Sequence, residues 1–85
     1  MKFSVSWEKS AEDRLAELWL AATDKEAIRS ASDRIDVLLA HNPLGAGESR
    51  VSNFRILFET PLAVLYDVKP LDRRVKVWAV WRWSK

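Results

Sequence analysis

Side chains able to grip another molecule are crowded into the C-terminal part of this 85-residue chain: Arg50, Arg55, Arg73, Arg74, Arg82 and Lys85, followed or interleaved by Trp78, Trp81 and Trp83. Guanidinium and ammonium groups hold phosphates and carboxylates, and indoles stack on bases or ribose. Trp81 and Trp83 beside Arg82 and Lys85 therefore have the makings of a single-stranded nucleic-acid site, although the same rings also enlarge a small core. Trp7, Trp19 and Trp78 are expected in that core. Residues 1–48 hold 6 Lys/Arg against 9 Asp/Glu, and residues 49–85 hold 8 against 3. The resulting step from net −3 to net +5 favours an anionic partner, and a solvated basic face gives the same pattern.

Other chemistries find no support. The chain has no Cys and a single His41, so neither a thiolate zinc site nor a multi-histidine cluster can be built, and no metal or cofactor is expected. His41 follows an apolar helical stripe and reads as a helix C-terminal residue facing the dipole. Gly45-x-Gly47 lacks a following Gly-Lys-Ser/Thr and a preceding strand, which excludes a phosphate-binding loop. Glu59 and Asp67 fall on neighbouring strands but have no His partner to make an acid/base pair.

The elements that must position these groups follow from hydrophobic period. At 85 residues and 9.8 kDa the chain is expected to form one domain, residues 1–85. It has no apolar run of the roughly 20 residues a bilayer requires and no signal-like start, so a cytoplasmic protein without membrane contact is expected. Residues 2–7 alternate as a strand. Ser10 is placed to cap a helix ending near Ala22, and Thr23 with Glu26 matches a capping box opening a second helix. Its stripe is Ile28, Ala31, Ile35, Leu38 and Leu39, and His41-Asn42-Pro43 stops it. Residues 44–49 hold both glycines and read as a flexible loop. Three strands follow: residues 50–59, with Phe54, Ile56 and Phe58 on one face and Arg55, Leu57 and Glu59 on the other; residues 62–69; and residues 74–83, bulky on both faces and expected to be central. The order β-α-α-β-β-β predicts an α+β fold, a helix hairpin on one face of a four-stranded, mainly antiparallel sheet, with function on the open face.

Ile35-Asp36, the Asn42-Pro43 stop, the Gly-containing loop, Phe54-Arg55-Ile56, Val64-Leu65-Tyr66-Asp67-Val68 and Val75-Lys76-Val77-Trp78-Ala79-Val80, in that order, resemble the RelE/ParE superfamily of bacterial toxins. The resemblance spans nearly the whole chain. It implies a toxin wrapped by a cognate antitoxin, acting as a ribosome-dependent mRNA endonuclease or, in the ParE branch, on DNA gyrase.

In the nuclease branch Lys and Arg on the open face, with a basic residue, His or Tyr near the C-terminus, act without metal. Cations stabilise the charge developing on the phosphate, and a titratable group shuttles protons. Carried over, Arg55 and Arg82 would hold the phosphate and Lys85 would add charge. Arg50, Arg73, Arg74, Trp81 and Trp83 would touch nucleic acid or a partner. The chain departs from the pattern at Leu57, where another Lys is common, at Ala63, where an Arg is common, and at Trp81, where some members have His. No residue offers itself as general base. On this alignment the open face reads Arg55, Leu57, Glu59, Ala63, Leu65, Asp67, Val77, Ala79 and Trp81, which suits protein binding better than phosphodiester cleavage. Three functions follow: a toxin cleaving mRNA on the ribosome, a non-catalytic binding module of the same fold, and a gyrase inhibitor.

Overall fold

The computed structural model describes residues 2–50 and 53–84. Strand β1 (Ser4–Trp7) leads into helices α1 (Lys9–Ala21) and α2 (Lys25–His41), a short turn of helix α3 (Pro43–Ala46), and strands β2 (Glu48–Ser49), β3 (Phe54–Glu59), β4 (Leu62–Lys69) and β5 (Arg74–Arg82). Among the described residues no helix is long and apolar enough to cross a membrane.

Local chemistry fixes the helix ends, with two departures from expectation. The α1 cap is Glu8, not Ser10; its side chain makes no cap bond and pairs instead with Lys76 Nζ at 2.9 Å. The α2 cap is Asp24, one residue beyond Thr23, and its carboxylate accepts the Ala27 amide at 3.1 Å. The tight link between the helices is clamped by Lys25, whose ammonium donates to the Leu20 and Ala22 carbonyls at 3.1 and 3.0 Å. A cation there satisfies carbonyls the helix end leaves open. Past His41, the last residue of α2, the expected flexible loop is partly helical: Pro43 fixes the first turn of α3 and Ala46 N–H returns to Asn42 O at 2.9 Å.

The sheet has five strands, one more than expected, in the order β1-β5-β4-β3-β2. β1 runs parallel to β5, and all other pairs are antiparallel. The added strand, β2, is two residues at the edge. It separates from β3 because Arg50 N–H turns back to Phe54 O at 2.8 Å, which breaks the expected 50–59 strand. β5 is an inner strand between β1 and β4, with helices over only one of its faces.

Register decides which side chains meet the helices. The two-residue turn Thr60-Pro61 sets Glu59 opposite Leu62, and the ladder then pairs Leu57 with Val64 and Arg55 with Tyr66. Directly opposed residues share a face. Leu62, Val64, Tyr66 and Val68 are buried under the helices, so Arg55, Leu57 and Glu59 point to the helix side, and Phe54, Ile56 and Phe58 to the open side. This reverses the expected orientation of β3. β5 differs too: the register shifts between Leu65 and Tyr66, so that Leu65 pairs with Ala79 but Tyr66 with Val77, leaving Trp78 as a bulge. Val75, Val77 and Val80 therefore all face the helices, and Val77 is not on the open face. The bulge explains why no single alternation fits this strand.

The core lies between the helices and the sheet: Ala11, Leu18, Ile28, Ala31, Ile35 and Leu39 against Leu57, Leu62, Val64, Tyr66, Val68, Val75, Val77 and Val80. At its edge the Tyr66 hydroxyl donates to Pro43 O at 2.7 Å, and a Cβ on Gly47 would collide with that hydroxyl, so this position excludes any larger residue. Trp7 packs against the core and donates through Nε1 to Asp36 at 2.9 Å. Trp19 and Trp78, expected inside, are surface residues at 41% and 39% exposure.

Candidate functional site

Because the helices cover one face only, the other presents Phe54, Ile56 and Phe58 of β3, Leu65 and Asp67 of β4, and Lys76, Trp78, Ala79 and Trp81 of β5, most of them half-buried. The rings brace one another. Phe54 meets Trp78 edge-on at 6.5 Å between centroids, and Phe58 meets Trp83 at 4.7 Å. Trp83 is held beyond β5 by its N–H to Pro61 O at 2.9 Å. Ala63 lies beneath this aromatic end and is fully buried.

The opposite end is polar. Trp78 Nε1 donates to Asp67 at 3.2 Å, and Lys76 Nζ stands 4.3 Å from the Trp78 ring while also pairing with Glu8. The Lys76 hydrogen bond and charge hold the Glu8 carboxyl below its usual range. Lys69 and Arg74 face each other across the ladder at the tip, where Arg73 adopts φ 53 in the turn. A recess of about 320 Å³ opens here between Ser6, Asp67, Lys69, Arg74, Lys76 and Trp78.

The expected site residues divide. Trp81 and Trp83 come together on the open face, and Arg74 lies at its basic end. Arg55 does not reach it: on the helix side its Nη1 donates to Gly47 O at 3.1 Å, beside Tyr66. Arg82 is opposite Leu62, also on the helix side, four residues or roughly 13 Å along the strands from the Arg55 position and two strands over. The two are not brought together. Arg50 contacts its neighbours, Ser49 O at 3.0 Å and Glu48 at 3.7 Å. Glu59 pairs with Arg34 of α2 at 2.7 Å, on the opposite face from Asp67, so no carboxylate pair forms. Lys85 lies outside the described residues. Phe54, Ile56, Phe58 and Lys69 are not among the site residues expected from sequence, and Trp78, expected in the core, joins them on this face. The two-residue turn was the signal for the first three, since it makes Glu59 and Leu62 share a face.

No family model matches the sequence, and no curated protein matches it. Solved structures do match. The chain superposes over 100% of its length, and 95% of the other chain, on the RelBE2 toxin–antitoxin complex from Mycobacterium tuberculosis, with a TM-score of 0.80 at 14% identity. The chromosomal ParDE system from P. aeruginosa gives 0.75 at 19% identity, covering 98% of each chain. The chain has the RelE/ParE toxin fold. The isolated E. coli RelE toxin matches as well, with a TM-score of 0.69 at 14% identity over 98% of this chain and 86% of that one. RelE and ParE structures both fit this backbone, so the fold alone does not distinguish between them.

Proposed function

We propose that this chain is the toxin of a toxin–antitoxin pair and acts in the cytoplasm by gripping a protein target, in the manner of a ParE-like gyrase inhibitor, through the open face of its sheet. The observation that carries this reading is the make-up of that face: aromatic and aliphatic along most of its length, with cations, among the described residues, only at the hairpin end, and with Arg55 turned to the other side. Rigid aromatic side chains around an apolar centre suit protein contact. Phosphodiester cleavage needs cations and a proton shuttle converging on one phosphate, and Arg55 and Arg82 do not converge. A cognate antitoxin as partner is supported by the likeness to RelBE2, a toxin–antitoxin complex.

The test is the rate of labelled thymidine and labelled amino-acid incorporation just after the chain alone is induced in cells. Thymidine incorporation is expected to fall first, and Trp81→Ala to abolish the fall. Selective loss of amino-acid incorporation would overturn this reading in favour of mRNA cleavage on the ribosome. If neither rate changes while folded protein accumulates, the toxin reading fails and a non-catalytic binding module replaces it.

A further inference from the structure

We propose that the recess at the hairpin end of the open face is a receptor for a carboxylate side chain, carried at one end of an amphipathic helix of the partner protein that lies along this face. The inference rests on the protein-contact reading above and names the chemistry of the partner.

Lys69 and Arg74 are directly opposed on β4 and β5, and like charges in that position repel. Among the described residues neither has an ionic partner. Three acids are nearby: Glu8 pairs with Lys76, Asp67 accepts the Trp78 indole and keeps its charge, and Asp72 lies in the turn between β4 and β5 beside Arg73. The lining of the recess, with Lys69, Arg74 and Lys76 against Asp67, is net positive. A carboxylate entering it turns one repulsive pair into two charge-assisted contacts, with Ser6 on the same wall.

The recess does not stand alone. Its wall is Trp78, which touches Phe54, and from there Ile56, Leu65, Ala79 and Trp81 continue an apolar track to Trp83. Arg74 and Trp83 are nine positions apart, about 30 Å at the rise of a strand. An extended peptide on this track would find no free backbone groups, since the inner strands spend theirs on each other. A helix satisfies its own and needs only an apolar stripe. At about 1.5 Å per residue, roughly 20 residues of helix cover the track. Apolar track and basic end together call for a helix with an apolar stripe and Asp or Glu at one end.

The probe is a synthetic amphipathic peptide of about that length, with a leucine stripe and two Glu at one end, titrated into the full chain against a counterpart ending in two Lys. The indole NMR signals of Trp78 and Trp81 are followed at two salt concentrations. The Glu peptide is expected to shift both signals and to bind at least about tenfold more tightly at low salt, with Lys69→Glu/Arg74→Glu reversing the preference. If the double reversal perturbs the fold, Lys69→Gln/Arg74→Gln is expected to abolish the preference. Equal binding of both peptides, with the Trp81 signal shifting, would overturn the carboxylate receptor and leave the protein-contact reading standing. No open-face shift with either peptide would overturn both.

Discussion

Both faces of the sheet carry apolar side chains, in different forms. The covered face is mostly aliphatic: Leu57, Leu62, Val64, Val68, Val75, Val77 and Val80, each no more than 5% exposed, with Tyr66 and, on β1, Trp7 as aromatics. The open face is mostly aromatic: Phe54, Phe58, Trp78, Trp81 and Trp83 around Ile56, Leu65 and Ala79. Compact branched side chains fill a space between layers in few rotamers, which is what a packed core requires. Wide, stiff rings give area at little entropic cost and tolerate one wet side, which is what a binding face requires. Apolar content alone does not separate the covered face from the open one in this chain; the kind of side chain does.

Truncation should expose the difference most strongly. Ile35→Ala, beneath the sheet and fully buried, is expected to cost about 2–5 kcal/mol in urea unfolding. Leu65→Ala on the open face is expected to cost less than about 1.5 kcal/mol, because the side chain is only half-buried and no cavity closes over it. Equal losses would mean that the open face belongs to the folding core.

The same contrast explains what the sequence made legible. The helix stripes and the alternation of β4 were readable because each has one apolar face, and the α+β order followed from them. β3 is turned the other way from the alignment that the resemblance implies, which puts Arg55, Leu57 and Glu59 on the open face. Phe54, Ile56 and Phe58 outweigh Leu57, yet the turn register and the Glu59–Arg34 ion pair put the lighter face inside. In β5 the bulge at Trp78 breaks the period of two, so neither reading of its alternation could hold along the whole strand. Trp81 and Trp83 follow that bulge in phase with each other, so their sharing a face was readable from their spacing. The basic recess was not, since it depends on which residues of two strands stand opposite.

A smaller effect is expected at Tyr66, the chain's only tyrosine. Tyr66→Phe removes the bond to Pro43 O and should cost about 1 kcal/mol at neutral pH. Burial raises the Tyr66 pKa, and this adds a pH signature. Below the unfolded value, about 10, both states are protonated and the shift has no consequence. Above it the unfolded chain loses its proton first, so stability falls as pH rises toward the folded value. Urea unfolding at about pH 8 and about pH 11 should show the wild type losing more stability than Tyr66→Phe. Equal losses would mean that the hydroxyl is accessible and the covered face is not sealed at this end.

The smallest expected effect bears most directly on the division between the faces. Arg55 sits on the covered side, where its described hydrogen bond is to Gly47 O, and loss of that bond in Arg55→Ala should cost no more than about 1 kcal/mol. If the open face is where the protein acts, Arg55→Ala should still arrest growth on induction, while Trp81→Ala, on the other side of the sheet, should not. Unfolding curves of both variants separate loss of action from loss of fold. A folded Arg55→Ala that no longer arrests growth would place action on the helix side, where a guanidinium beside a buried tyrosine would then have to be read as part of a site. That result would return weight to phosphate chemistry, because only the cation, and none of the aromatic surface, is removed by the substitution.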